Sequence, residues 1–177
     1  MNREEILKSL KNEDSKQDVL SKLTQINDPE IIQEMVGLFD DDRIEIRGEV
    51  FSSLFLNKND IFGSLIPCVK HQSKNVRAYV TLVLANRDEK RAVREIQTLT
   101  NDSSGLVRTC VYGALGHLEA KECAKELHDG IFDSNIEAVK SAVYALSRIN
   151  EAISEKEIEC IRKFDDPEFK KILRFFN

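Results

Sequence analysis

Apolar residues recur along this chain with a period of about 31 residues. An apolar–basic pair marks the same position in each of three successive repeats, at Ile46-Arg47, Val76-Arg77 and Val107-Arg108. Four and eight residues after each pair come further apolar side chains: Val50 and Leu54, Val80 and Leu84, Val111 and Leu115. Because side chains spaced in this way share one face of a helix, every repeat is predicted to contain an amphipathic helix.

Extending the same register in both directions predicts six repeats. The equivalent anchor positions are 15, 46, 76, 107, 138 and 169. The repeats are expected at about 1–27, 28–58, 59–87, 88–118, 119–150 and 152–177, within a single domain 1–177. A fixed period of this size is typical of a stack of small helical units that bury a continuous core between neighbours.

A second, earlier helix is predicted in each repeat. Eleven residues before the anchors stand Met35, Leu65, Ile96, Leu127 and Ile158; eight residues before them stand Leu7, Leu38, Cys68, Leu99 and Ile161. Gly130 interrupts the second of these columns, and Ile131 is expected to take its place. Between the helices lie turn and cap signals rich in Asp, Ser and Asn, such as residues 40–42, 101–104, 133–135 and 165–167.

Residues 102–116, with the sequence DSSGLVRTCVYGALG, resemble a HEAT repeat. The 31-residue length is similar to that of the short subtype found in phycobilisome-lyase-like proteins. The resemblance implies an all-α, right-handed α-α superhelix of about six helical pairs, whose second helices line the concave side. It implies little about function, because such repeats occur in scaffolds, adaptors, lyases and a few metal enzymes.

Charge and composition narrow the function. The net charge of −5 disfavours non-specific nucleic-acid binding. Residues 1–58 carry a net charge of −5, residues 59–118 carry +3 and residues 119–177 carry −3. The basic middle suits an acidic partner. The polar start and the lack of a long apolar run predict neither a secretory signal nor a membrane span, and therefore a cytoplasmic protein.

The cysteines and histidines give no sign of a metal site. The four cysteines form no CxxC pair, and buried free thiols in a reducing compartment are expected. The three histidines include no His-Glu dipeptide of the kind used by HEAT-like di-iron hydroxylases. No phosphate-binding loop or hydrolase motif occurs, so we expect no catalytic residue, no cofactor and no metal.

The basic residues that follow the anchors form a ladder. Its rungs are Lys16, Arg47, Arg77, Arg108 and Lys170, with Val139 as a gap. The resemblance implies that these cations pair with aspartates of the inter-helix turns, here Asp42, Asp102 and Asp133. An anion-binding stripe is the alternative. Arg77 has no aspartate in its own turn, so a neighbouring aspartate or a ligand would have to serve it.

The outer face of the second helices is the best candidate binding surface. Offsets of two, six and nine residues from the anchors lie opposite the buried stripe and should be polar. They are instead mostly small or apolar, and aromatic residues lie on them and beside them. The expected anchors of a groove are Phe51, Phe55, Tyr79, Leu82, Tyr112 and Tyr144, steered by Arg77, Arg91 and Arg94. Packing between repeats is the alternative interpretation of these side chains.

Three functions remain open at this point. A non-catalytic module that binds a peptide, helix or protein edge is preferred. A lyase-type enzyme or subunit that holds a tetrapyrrole-like ligand is the main alternative, and a phosphate-backbone binder is the third. The apolar end, Ile172, Leu173, Phe175 and Phe176, predicts either a self-capped monomer or a dimer formed through that end.

Overall fold

The fold is described by a computed structural model, which covers residues 1–164 and 166–176 and, of Phe175, the backbone alone. Asp165, one of the predicted cap residues, and the side chain of Phe175 therefore lie outside the described residues. Within these bounds the chain contains twelve α-helices and no strand. The predicted all-α class and its helical pairs are confirmed.

The helices cluster into two compact units, which meet in the sequence at Arg87 and Asp88. This boundary coincides with the predicted border between the third and fourth repeats. The N-terminal unit contains α1 (Arg3–Leu10), α2 (Lys16–Leu20), α3 (Pro29–Gly37), α4 (Ile44–Leu56), α5 (Phe62–Leu65) and α6 (Lys74–Asn86). The C-terminal unit contains α7 (Val93–Gln97), α8 (Gly105–His117), α9 (Ala124–Gly130), α10 (Ile136–Arg148), α11 (Glu155–Arg162) and α12 (Pro167–Ile172). That the whole chain forms one domain stays a prediction.

The second helices of the repeats carry the core. Helices α4, α6, α8 and α10 are each 13 residues long. Their predicted columns are buried: Ile46, Val50 and Leu54 on α4 are fully inaccessible, and so are Val107, Val111 and Leu115 on α8. Side chains cap several helices as the sequence predicts. Asp28 accepts hydrogen bonds from the first turn of α3, whose first residue is Pro29.

The first helices are shorter, and three of the six continue into a 3₁₀ turn. Such turns occupy Leu38–Asp40, Ile66–Lys70 and Thr98–Asn101. The predicted column eight residues before the anchor is only partly buried, since Leu38 is half-buried. Cys68, Leu99 and Ile161 of this column are buried as predicted. The next position is buried as well, by Phe39, Val69 and Ile131. Tighter 3₁₀ winding rotates the chain further per residue, which brings this position to the core. The expected substitution of Ile131 for Gly130 is confirmed.

Side chains of one repeat satisfy backbone carbonyls at the end of the preceding second helix. Ser53 Oγ donates to Leu20 O at 2.7 Å, Arg87 Nη1 donates to Leu54 O at 3.0 Å, and Arg148 Nε donates to Gly116 O at 3.1 Å. The last carbonyls of a helix have no partner within the helix, so these bonds remove unsatisfied acceptors while fastening neighbouring repeats together.

Three second helices end at a residue in the left-handed region. Asp88, Glu119 and Asn150 have φ angles of 54°, 55° and 57°. They stand 31 residues apart and follow α6, α8 and α10. The same backbone turn therefore ends each of these repeats without a glycine, although glycine is the residue that adopts this conformation at least cost.

Candidate binding surfaces

The turn between the two helices of a repeat has one recurring geometry. The side chains of Asp41, Asp102 and Asp133 each accept a hydrogen bond from the backbone N–H two residues later, at 3.0, 2.8 and 2.8 Å. In the third repeat, His71 Nδ1 accepts from the Ser73 N–H at 3.1 Å. The structurally equivalent aspartate of the second repeat is thus Asp41, and not Asp42 as the sequence suggested.

The arginine ladder binds these turns through their backbone. Arg47, Arg77 and Arg108 each donate from Nη1 to the carbonyl oxygen six residues earlier, at 2.6, 2.8 and 2.7 Å. Within a repeat, the expected pairing of guanidinium with carboxylate is therefore replaced by pairing with a carbonyl group.

The carboxylates of the turns are bound by cations of the preceding repeat. Lys16 Nζ lies 2.8 Å from Asp41 Oδ2, and Arg108 makes two bonds to Asp133, at 2.6 and 2.7 Å. The gap in the ladder at Val139 is filled by its neighbour: Lys140 Nζ lies 2.7 Å from Asp166 Oδ2. These cations fasten successive repeats within each unit.

The ion pairs shift the pKa values of the carboxyl groups. The hydrogen bonds from Arg108 hold the pKa of Asp133 below its ordinary value, against the opposing effect of burial. Burial raises the pKa of Asp41, but hydrogen bonds from Lys16 and Arg43 outweigh it, so the net direction is also downward. Both carboxylates are ionised in the folded protein at neutral pH, which supports a structural role for the ladder.

In the N-terminal unit, an apolar patch lies on the exposed side of α4 and α6, which pack against each other. Phe55 is 42% exposed, and its ring stacks on that of Phe51 with centroids 6.1 Å apart. Phe51 and, on α6, Leu82 are half-buried. We call Phe51, Phe55 and Leu56 on α4, together with Leu82 on α6, the α4–α6 patch.

Not all of the expected groove in this unit is open. Tyr79 stacks on the buried Phe39, with centroids 5.0 Å apart and planes only 7° from parallel, so its ring serves packing. Ala78 and Ala85 stand at offsets predicted to be exposed but are buried. Their small side chains let neighbouring segments approach closely. At these two positions the burial agrees with packing between repeats, the alternative to an open groove.

In the C-terminal unit, the two predicted anchors differ. Tyr144 on α10 is 38% exposed. Tyr112 on α8 is only 4% exposed, and its hydroxyl group lies 3.4 Å from the carbonyl oxygen of Thr100. The expectation that Tyr112 is an exposed anchor is therefore wrong. Its ring turns toward α9, where Gly130 offers it space.

The predicted steering cations are also placed differently. Arg77 donates to the carbonyl groups of His71 and Gln72, each at 2.8 Å. Arg91 Nη2 lies 2.9 Å from Glu89 Oε2. Arg94 on α7 is exposed and lines a pocket of the C-terminal unit. These contacts neutralise part of the basic middle of the chain.

The sequence did not predict this pocket, which has a volume of about 320 Å³. Besides Arg94, its lining includes Gln97, Thr100, Tyr112, Lys125 and Asp129. The missed signal was the equivalence of residues 94 and 125, which stand 31 residues apart on successive first helices. Leu56 was missed as well, although the run Leu54-Phe55-Leu56 contains more apolar side chains than one buried helix face can use.

In the part of the chain that the structure describes, no three His, Cys, Asp or Glu residues are placed to hold a metal ion. His128 Nδ1 lies 2.6 Å from Glu157 Oε1, and the other oxygen of that carboxylate accepts from Ser154 Oγ at 2.6 Å. Since the acid stands between the serine and the histidine, this group caps α11 and does not activate a nucleophile.

The comparisons with known proteins agree with this geometry. The family of HEAT repeats matches residues 64–147. Residues 64–147 are HEAT repeats. No curated protein sequence matches the chain. The described helices include none that is both long and apolar enough to cross a membrane.

Solved structures extend the likeness to the whole chain. The complex of CpcE and CpcF of phycocyanin lyase from Nostoc has a chain with a TM-score of 0.68 and 15% identity, covering 85% of this chain and 100% of that one. YibA of Escherichia coli has a TM-score of 0.64 and 18% identity, covering 97% and 68%. A designed armadillo repeat protein in complex with the peptide (KR)4 has a TM-score of 0.56 and 17% identity, covering 98% of both chains. At these identities the likeness shows a shared helical-repeat fold.

Proposed function

We propose that the protein is a non-catalytic binding module that holds a peptide, a helix or a protein edge on the α4–α6 patch. The observation that carries this proposal is the exposure of Phe55 and Leu56 beside Phe51 and Leu82, on helices whose core faces are already complete. Exposed aromatic and aliphatic side chains that cluster on a rigid surface are the usual anchors of protein interfaces.

The fold supports the same role. A solenoid-type repeat protein offers an extended surface instead of an enclosed catalytic pocket. One of the similar structures is a designed armadillo repeat protein in complex with a peptide. Tyr144 in the C-terminal unit offers a further exposed aromatic contact.

The test compares binding by the wild type with binding by a Phe55→Asp, Leu82→Asp variant. Each is used to select ligands from a displayed library of helical and extended peptides, and the selected peptides are then measured by titration. The matched control is Leu106→Asp, which places the same charge on α8 in the other unit, at a side chain that is 45% exposed.

Peptides that bind the wild type and the Leu106→Asp control equally, and the patch variant at least tenfold more weakly, would support the proposal. Circular dichroism and thermal melting must show all three proteins folded. Equal binding by the folded patch variant would place the interface elsewhere. Unfolding of the Phe55→Asp single variant would show that the patch belongs to the core.

A second candidate function is that of a lyase-type subunit, and the specific observation in its favour is the likeness to a phycocyanin lyase chain over that chain's full length. An open-chain tetrapyrrole bound by this protein would change its visible absorption spectrum on mixing. A saturable change would favour this function. Binding of nucleic acid, the third possibility, would instead fall steeply with rising salt concentration.

A further inference from the structure

The pocket of about 320 Å³ lies within the C-terminal unit, between the first helices α7 and α9 of two successive repeats. Arg94 on α7 and Lys125 on α9 occupy the same repeat position, and both line the pocket. Because adjacent packed helices lie roughly 8–10 Å apart, the two cations flank one opening. The size is at the lower end of small-molecule sites, which measure about 300–1,000 Å³.

Two cations, Arg94 and Lys125, and two acids, Glu126 and Asp129, line the pocket, but the cations form no direct ion pair with these acids. Both Arg94 and Lys125 are exposed, and neither forms an ion pair with any carboxylate among the described residues. Glu126, the residue that follows Lys125 on α9, accepts a hydrogen bond from Gln97 Nε2 at 2.8 Å. Two other arginines of this unit do have carboxylate partners: Arg91 has Glu89 and Arg108 has Asp133.

The inner wall of the pocket is polar and fixed. It includes the Tyr112 phenol, and the hydroxyl group of Thr100 is held by the carbonyl oxygen of Gln97 at 2.9 Å. Tyr112 is itself held in place, because its ring fills the space above Gly130. A ligand would therefore meet two exposed cations at the rim and a preformed aromatic and amide surface behind them, the arrangement that orients small polar ligands in protein sites.

We propose that this pocket binds a compact ligand through a carboxylate group held between Arg94 and Lys125. A carboxylate fits better than a phosphate, because Glu126 and Asp129 also line the pocket and would repel a dianion more strongly than a monoanion. The carboxylate can belong to a free small acid or to an acidic side chain of a bound segment. The proposal does not depend on the α4–α6 patch, which lies in the other unit.

Tyr112 supplies the readout. The chain has three tyrosines and no tryptophan, so a Tyr79→Phe, Tyr144→Phe background leaves Tyr112 as the single fluorescent phenol. Burial raises the pKa of Tyr112, so its phenol is neutral at pH 7. Tyrosine fluorescence and amide chemical shifts of Thr100 and Asn101 would be followed while succinate, or the peptide acetyl-Glu-Glu-amide, is titrated at constant ionic strength, with inorganic phosphate for comparison.

A saturable signal from succinate or from the peptide, weakened about tenfold or more by either Arg94→Gln or Lys125→Gln, is the expected result, since charge-assisted hydrogen bonds dominate such contacts. The matched control is Lys90→Gln, which removes an exposed cation near α7 that does not line the pocket, and should bind as the background does. Comparable affinity for succinate and the peptide would show that a free small acid is sufficient for binding. Binding of the peptide alone would show that the ligand is an acidic segment of a polypeptide.

Absence of a saturable signal with both carboxylate probes would overturn the proposal. A signal that survives both substitutions, or that Lys90→Gln weakens equally, would do the same, because it would show general electrostatic attraction. Tighter binding of phosphate than of either carboxylate would contradict the assigned ligand chemistry. Since Arg94 and Lys125 are exposed, their substitutions should leave the melting curve unchanged, which keeps a loss of binding distinct from a loss of fold.

Discussion

The phenol ring of Tyr112 occupies the space that a side chain at residue 130 would need. A Cβ atom on Gly130 would lie 2.8 Å from Tyr112 Cζ and 2.8 Å from the methyl group of Ala142. Gly130 has no positive φ angle, so packing, and not backbone conformation, requires a glycine here. The glycine that interrupts the apolar column at residue 130 and the burial of the Tyr112 ring 18 residues earlier therefore have the same structural cause.

We expect Gly130→Ala to destabilise the protein by about 1–3 kcal/mol, because the added methyl group overpacks the contact with Tyr112. Its better helix propensity offsets only about 1 kcal/mol of that cost. The measurement is the free energy of unfolding in urea. Gly113→Ala on α8 is the matched control: no atom lies within 4 Å of its Cβ position, so it should gain roughly 1 kcal/mol. Equal stability of the two variants would contradict the packing account.

The ion pair between Arg108 and Asp133 should contribute measurably to stability. Their side chains are only 15% and 5% exposed. Replacing Asp133 by Asn leaves the guanidinium group without its partner, and we expect a loss of about 2 kcal/mol in the free energy of unfolding. Glu89→Gln, which removes the partner of the exposed Arg91, should cost less than about 1 kcal/mol. If Asp133→Asn lowers the free energy of unfolding no more than Glu89→Gln does, the ion pair of the ladder does not contribute to stability.

Acid should weaken the fold through the same groups. The pKa values of Asp41, Asp133 and Glu157 are lowered in the folded protein; for Glu157, hydrogen bonds from Ser154 and His128 outweigh the opposing effect of burial. The unfolded state therefore binds protons first, and the contribution of these groups is complete above the unfolded pKa values of about 3.9 for Asp and 4.3 for Glu.

As the pH falls below that range and through the lowered pKa values, this contribution is lost. Melting temperatures measured from pH 7 to pH 3 should drop steeply only below about pH 4.5. The Asp133→Asn variant should show a shallower drop, because one of the titrating groups is gone. An identical pH profile for the variant and the wild type would argue against a lowered pKa at Asp133.

The left-handed residue Glu119 offers a stabilising substitution. Its φ angle of 55° strains a side chain that bears a Cβ atom, and the residue is exposed. Glu119→Gly should raise the free energy of unfolding by roughly 0.5–1 kcal/mol. Asn150→Gly should gain less, because asparagine tolerates this conformation better than glutamate does. Calorimetric melting checks both, and a loss of stability in Glu119→Gly would mean that its side chain makes an unseen contribution.

The sequence predicted the features of the fold that depend on the spacing of apolar residues within one helix. The columns of α4, α6, α8 and α10 follow from the spacing of Val107, Val111 and Leu115 and of their equivalents, because a helix face is a local property. The inter-helix turns followed from Asp and Ser for the same reason, although the register was wrong by one residue at Asp41.

Contacts that join two repeats could not be predicted in this way. Tyr112 was expected to be exposed because its offset lies beside the open face, and only the neighbouring Gly130 explains its burial. Lys140 replaces the missing rung at Val139, since a long lysine side chain reaches Asp166 from the next position on the helix. The pairing of Arg94 and Lys125 on successive helices requires two repeats to be considered together, whereas hydrophobic patterning treats each one alone.

The bonds between repeats have a direction. The cations Lys16, Arg108 and Lys140 reach forward to the next turn, while Ser53, Arg87 and Arg148 reach backward to the previous helix end. A cut made inside a repeat therefore leaves an orphaned carboxylate on one side and an orphaned carbonyl on the other. Duplicating one full repeat leaves no such orphaned group. The number of repeats can therefore change, in evolution or in an engineered array, while the bonds of this kind between repeats are kept.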